Sequence, residues 1–312
     1  MRVFVAGGTG AIGRPLVVAL TAAGHEVTVF SRSAERVDAL GLPGVAAAVG
    51  DALSPDDVTR AVEAAKPDVV INELTSLAQS ANPLAVKRGF DQTSRLRREA
   101  SGSLVRAARA AGARRVVAQS ISFIYRPGPG VRTEADPLWT DATGQIGQLA
   151  GSLAVLESTT LGDAALEGVV LRYGSFYGQG TYFAPGGLYA DLLAKRRLPL
   201  PGEGAGLFGL VHVEDAVSAT IAALEGPTGT YNVADDVPAP ASEWMPFVAR
   251  LLGAKPPWHV PESIARVGAG KFLTYLMCDQ PAVSNQRART ELGWSPRYPD
   301  WHEGLPAVLG AD

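Results

Sequence analysis

Apolar and polar positions in the first half of the chain switch between two periods. Residues 2–6 form a short apolar run that ends in glycines, and residues 12–23 carry helical spacing closed by Gly24. Residues 25–30 predict a second strand, 34–40 a helix and 45–49 a third strand. Ser54, Pro55, Asp56 and Asp57 spell a helix start: a cap, Pro at the first position and acids in the first turn. Residues 68–72 read as a buried strand. A long helix fills much of 87–111 before Gly112, and 115–120 and 168–173 supply two further strands. Strands alternating with helices at this spacing predict right-handed crossovers and a parallel sheet covered on both faces. Beyond about residue 175 the alternation stops and Pro and Gly become frequent, although 207–213 and 231–233 still look like strands. The expected organisation is α/β: a Rossmann-type doubly wound parallel sheet over 1–174, with segments around 207–235 returning to it. A smaller C-terminal substrate lobe then occupies most of 175–312.

Composition narrows the class. Of 312 residues, 46% are hydrophobic and 19% charged, which excludes disorder over most of the length. Lys plus Arg is 28 against 31 for Asp plus Glu, so no global charge directs the chain to nucleic acid or an anionic membrane. Cys278 stands alone, which excludes an internal disulfide framework, and His25, His212, His259 and His302 share no metal-ligand spacing. No apolar run reaches membrane-spanning length, and a strand begins within two residues of the N-terminus without a leader pattern. A soluble, cytoplasmic protein is the expectation, with a small molecule as its partner and neither nucleic acid nor membrane.

The glycines carry the first chemistry. Gly7, Gly8, Gly10 and Gly13, with Thr9, Ala11 and Ile12 between them, follow the first strand and open the first helix. Such a turn lets the backbone approach a pyrophosphate and aims a helix N-terminus at its charge. The second strand ends in Ser31 and Arg32 where an NAD site places a carboxylate, and Arg suits a 2′-phosphate. NADP is therefore expected over NAD, with Arg36 as a further candidate. Asp51 either meets the adenine amino group or serves its turn, and Leu74 and Gln119 complete the expected cofactor contacts.

The chain resembles the extended short-chain dehydrogenase/reductases, including the NAD-dependent epimerase/dehydratase group. The resemblance rests on Gly7 to Gly13, Pro67-Asp-Val-Val-Ile71, Arg114-Arg-Val-Val117, Leu171-Arg172, Val211-His-Val-Glu-Asp215 and Glu291-Leu-Gly-Trp-Ser-Pro296. It implies a Rossmann cofactor domain, a substrate lobe, and catalysis by a Tyr and a Lys four apart with an upstream Ser or Thr and an Asn. Leu149 and Leu153 align with the Tyr and Lys, Ile121 with the Ser or Thr, and Arg97 with the Asn; residues 130–170 contain neither Tyr nor Lys. The chain is thus similar to atypical members. Where nucleotide-sugar enzymes carry Asn and Arg for a diphosphate, Ser175 and Phe208 stand here, which argues against sugar nucleotides. Family members often pair through their long helices, so a homodimer is an expectation.

Polar groups that could replace them stand nearby in the chain. Gln119 shares a strand face with Ile121 and can hydrogen-bond a substrate carbonyl or the nicotinamide amide. Ser122, Tyr125 and Tyr177 are the alternatives, Tyr177 being more ordinarily structural. Leu149, Leu153 and Leu156 are either packing surface or the wall of an apolar substrate pocket, to which Ser175, Phe208 and part of an aromatic-rich C-terminal half also belong. Residues 271–277 read as a short helix acting as a lid. Glu73 and Arg97 read as solvated or helix-end charges, a charged pair beside the cofactor being the alternative. His212 reads as a cap and Cys278 as a buried thiol. These features point to an NADP-binding oxidoreductase acting on a small, relatively apolar carbonyl or alkene. An isomerase, epimerase or cyclase on the same fold, or a non-catalytic NADP(H) sensor, is the alternative.

Overall fold

The computed structural model describes residues 1–77 and 82–310. Its first half runs β1 (Arg2–Ala6), α1 (Gly13–Ala22), β2 (Glu26–Ser31), α2 (Ala34–Asp38), β3 (Ala46–Val49), α3 (Pro55–Ala65) and β4 (Val69–Asn72). It continues through α4 (Pro83–Ala110), β5 (Arg115–Ile121), α5 (Gly144–Leu161) and β6 (Glu167–Tyr173). The expected helix start at Ser54 is realised, its hydroxyl accepting from the Asp57 amide at 3.3 Å. α4 begins before residue 87, because Asn82 caps it by accepting from the Leu84 amide and Pro83 suits a first turn that needs no donor.

The second half contains β7 (Ser175–Tyr177), α6 (Leu188–Ala194), β8 (Leu200–Pro201), β9 (Leu207–Phe208), β10 (Leu210–His212) and α7 (Val213–Ala222). Then come β11 (Gly229–Val233), β12 (Ala239–Pro240), α8 (Ala241–Leu251), β13 (His259–Val260), α9 (Glu262–Gly268), α10 (Gly270–Cys278), α11 (Gln286–Glu291) and α12 (Trp301–Leu309). His212 caps α7, its Nδ1 accepting from the Glu214 amide at 3.2 Å.

Seven parallel strands make the main sheet, in the order β11-β6-β5-β4-β1-β2-β3. The order reverses between β1 and β4, and ligands of doubly wound sheets sit at the carboxyl ends of such strands. Of the two segments expected to return, only Gly229–Val233 adds to this sheet. Leu210–His212 pairs instead with β7 in a small separate sheet.

Strand alternation divides the core. Val3 and Val5 face one way, onto Leu16 and Leu20 of α1 and Val213 and Val217 of α7. Phe4 and Ala6 face the other, onto Val58 and Val62 of α3 and Ala100 and Leu104 of α4. A third cluster joins Leu149 and Leu153 of α5 to Phe208, Trp244 and Trp301 of the C-terminal lobe. Among the described residues no helix is long and apolar enough to cross a membrane.

One polar network crosses this interior. Arg172 on β6 grips Glu157 on α5 with two bonds, Nε to Oε1 at 2.9 Å and Nη2 to Oε2 at 2.6 Å. Ser120 on β5 donates to Glu157 at 2.6 Å, and the remaining Arg172 nitrogen donates to the Tyr125 hydroxyl at 2.7 Å. Tyr125 passes its proton-side bond to Asn232 of β11 at 2.8 Å. Removing one member of a buried pair strands the other charge. Glu157→Leu should therefore lose about 3–5 kcal/mol in urea unfolding, and the double variant Glu157→Leu with Arg172→Met should recover most of that loss.

Candidate active site

The turn after β1 shows why glycine is required there. Gly7 has φ +94°, and a Cβ on it would lie 2.5 Å from the Glu73 carbonyl oxygen. A Cβ on Gly13 would overlap the Gly7 carbonyl and the Gly8 backbone, so α1 can start this close to the sheet only with glycine. At Gly10 a Cβ would meet only the Gly7 oxygen, at 3.3 Å, and the mouth of the turn stays open. The N-cap residue Ile12 makes no side-chain bond to the first turn of α1 and no acid occupies that turn, which leaves its amide dipoles directed at whatever enters. Ala11, Ile12 and Gly13 form the joint between turn and helix.

A cleft of about 190 Å³ opens over this turn. Gly7, Thr9 and Gly10 floor it; Ser31, Arg32 and Arg36 line one side; Asp51 and Leu74 line the other. Arg32 and Arg36 are exposed, and neither has an ion-pair partner among the described residues. The Asp51 carboxylate accepts from the Leu53 amide at 3.0 Å, so it serves its own turn while facing the cleft. These features fit a nicotinamide dinucleotide: a glycine cradle that any Cβ would fill, an uncapped helix start for the pyrophosphate, and a basic rim beside the second strand.

A second cavity of about 160 Å³ adjoins the first, with Thr75 lining both and Ala11 following Gly10 across the divide. Its walls are predominantly apolar. Ile121 and Phe123 come from β5 and its exit, Leu149 from α5, Phe176 from β7, and Tyr182 and Phe183 from the following loop. Ser175 also reaches it. The expected lid helix is α10, and its Phe272 meets Phe90 of α4 edge-on with ring centres 5.6 Å apart. Leu153 and Phe208 lie in the core instead, Phe208 edge-on to Trp244 at 5.3 Å.

The sequence-derived candidates separate in space. Gln119 lines the second cavity, and its side chain has no hydrogen-bond partner among the described residues. Tyr125 is buried in the Arg172 network, where burial pushes its phenol up to about 12. The Tyr177 hydroxyl donates to Asp235 at 3.0 Å, deep beneath α12. Ser122 is buried just past β5, its amide bonded to the Tyr173 carbonyl. None of these three lines either cavity.

Two charges depart from the solvated reading. Glu73 and Arg97 are each only 5% exposed, and no ion pair joins them. Arg97 lines the second cavity on the α4 face that also carries Phe90 and Thr93, seven and four positions before it. That spacing was visible in the chain, but nothing in it marks an Arg among exposed charges as the buried one. Glu73 projects beside the glycine turn, and neither of its oxygens has a hydrogen-bond partner among the described residues.

Burial alone raises the Glu73 carboxyl to about 8, so it is held neutral in the folded chain at pH 7. The unfolded carboxyl ionises near 4.5, and between these values the unfolded state binds fewer protons. Stability therefore falls as pH rises from about 4.5 through about 8. Glu73→Gln should melt close to the native chain at pH 5 and roughly 5 °C above it at pH 8.5, checked by thermal melts across that range.

Residues 3–234 match the NAD dependent epimerase/dehydratase family. A Streptomyces protein, 3-diazoavenalumate denitrifying reductase, is 46% identical over 308 residues, covering 98% of this chain and 99% of that one. The 2'-dehydrokanamycin reductase of Streptomyces kanamyceticus is 30% identical over 229 residues, 70% of this chain and 56% of its own. Among solved structures, the Thermus thermophilus UDP-glucose 4-epimerase complex with NAD superposes with TM-score 0.76 at 24% identity, covering 100% and 98% of the two chains. A human epimerase family protein with NADPH gives TM-score 0.77 at 22% identity, covering 99% of each. With its glycine cradle, its seven-stranded sheet and these relatives, the chain belongs to the NAD dependent epimerase/dehydratase family and is an enzyme of oxidoreductase or epimerase type.

Proposed function

We propose that the chain is an NADP(H)-dependent reductase of a small, largely apolar substrate, that it works without a Tyr–Lys proton relay, and that the substrate carries a diazo group. The observation behind this reading is the wall of the second cavity. Where the Tyr of the resembled family would stand, α5 presents Leu149, and the Lys position, Leu153, is packed into the core. Gln119 does not titrate and Arg97 does not release its proton at neutral pH. Burial also raises the phenols of Tyr182 and Tyr189 at the cavity edge, which makes them weaker acids.

This chemistry separates substrates. Reducing a carbonyl or an alkene adds a hydride and then a proton, so such a substrate fits only with water as the donor. Replacing dinitrogen on a diazonium carbon, the cationic form of the diazo group, needs no proton. Gly7, Thr9, Gly10 and the Arg32 rim would hold a reduced nicotinamide dinucleotide, which would supply a hydride: a C–H bond would form as the C–N bond of a diazonium carbon breaks and N2 leaves with that bonding pair. The chain's own part is to seat the substrate against apolar walls, with Gln119 orienting it or the nicotinamide amide. The relative that is 46% identical is named for reductive loss of nitrogen from a diazo compound, and the S. kanamyceticus relative is also named a reductase. Both names support hydride delivery over an epimerase or a sensor role.

The test uses purified protein with a diazonium arene, 4-diazobenzoate, and NADPH deuterated at the transferring carbon. Loss of 340 nm absorbance should match release of N2, with deuterium on the carbon that lost nitrogen. Enzyme-independent loss, or product without deuterium, overturns the reading. For the cofactor, Arg32→Ala should raise KM for NADPH about 10- to 100-fold while changing KM for NADH less than threefold, because only the 2′-phosphate loses a charge-assisted bond. An equal change in both removes the NADP preference.

A further inference from the structure

Arg97 is the cation of the second cavity. It sits in the middle of α4, 5% exposed, and has no hydrogen bond or ion pair among the described residues. Glu157 is near enough to act on it electrostatically, but that carboxylate is already held by Arg172 on both oxygens and by Ser120. Burial lowers the guanidinium to about 10, with Glu157 opposing, so Arg97 keeps its charge at neutral pH. A desolvated cation without a partner is costly, and folded chains seldom retain one unless something completes it. Around it the cavity offers aromatic edges and aliphatic carbon: Phe90, Phe123, Phe176 and Phe272, with Leu149.

We infer that Arg97 is the anchor for a carboxylate on an aromatic substrate, with the ring held between the surrounding phenyl groups and the reacting carbon toward Gly10 and Thr75. A guanidinium takes a carboxylate through two parallel bonds, which fixes orientation as well as charge. The inference deepens the reductase reading and rests on it only for where the reacting carbon lies. It makes Arg97 a specificity-determining residue rather than a proton donor.

Binding tests it without turnover. Calorimetric titration of the NADP+-saturated protein with trans-cinnamate, cinnamyl alcohol and phenyl phosphate should show cinnamate binding at least tenfold tighter than the alcohol. Arg97→Met should weaken cinnamate about 10- to 100-fold and the alcohol less than threefold, with NADP+ affinity unchanged. Arg97→Lys should retain part of the carboxylate preference. Because Arg97→Met removes an uncompensated buried charge, it should melt no lower than the native chain, whereas a merely structural Arg97 would leave it destabilised. No carboxylate preference in the native protein, a preference that survives Arg97→Met, or tighter binding of phenyl phosphate overturns the assignment. If cinnamate binds through Arg97 but 4-diazobenzoate is not reduced, the reductase reading falls and the anchor stands. If diazo reduction proceeds and is indifferent to Arg97→Met, the reverse holds.

Discussion

The grip of Arg172 on Glu157 fixes where α5 lies, and much of the site follows from that. α5 contributes Leu149 to the second cavity and Leu153 to the core. A helix with only apolar residues on its inner face could slide along the sheet at little cost. The two bonds from β6, with a third from Ser120 on β5, set one register. Through Tyr125 the same network reaches Asn232, tying the outermost strand β11 to the interior. Position of the cavity wall and integrity of the sheet edge are thus one problem with one solution.

The two cavities differ in how they handle charge. Over the glycine turn, recognition is by backbone amides and an exposed basic rim, suited to a highly charged ligand that keeps much of its hydration. The adjoining chamber is predominantly apolar, and among the polar side chains that line it those of Gln119 and Arg97 have no partner among the described residues. Such a chamber favours placement of a ligand and exclusion of water over proton exchange with bulk solvent.

Most of the scaffold was legible in the chain. The Gly7 to Gly13 turn, the Ser54 cap, the strand at 115–120 and the basic residue after the second strand all obey local rules that act within a few residues. What local rules do not reach depends on distant contacts. The segment 207–213 was expected at the main sheet, but strand character does not say which edge a strand joins, and β10 found β7 instead. Glu73 and Arg97 looked like ordinary surface charges because burial depends on what folds over them: the glycine turn for one, and β5, α5 and α10 for the other. Tyr125 and Tyr177 were attractive as hydroxyls near the family's catalytic strand, yet their partners, Asn232 and Asp235, lie more than fifty positions away and could not be read locally.

The neutral carboxyl of Glu73 has a consequence for the bookkeeping of protons in solution. It lines the same cleft as the cradle for the pyrophosphate, so an arriving polyanion meets an acid that sits near half-ionisation at about pH 8. Negative charge nearby disfavours its ionised form further, and by linkage the binding of a dinucleotide draws a fraction of a proton from the buffer. The heat of that binding then varies with the ionisation enthalpy of the buffer.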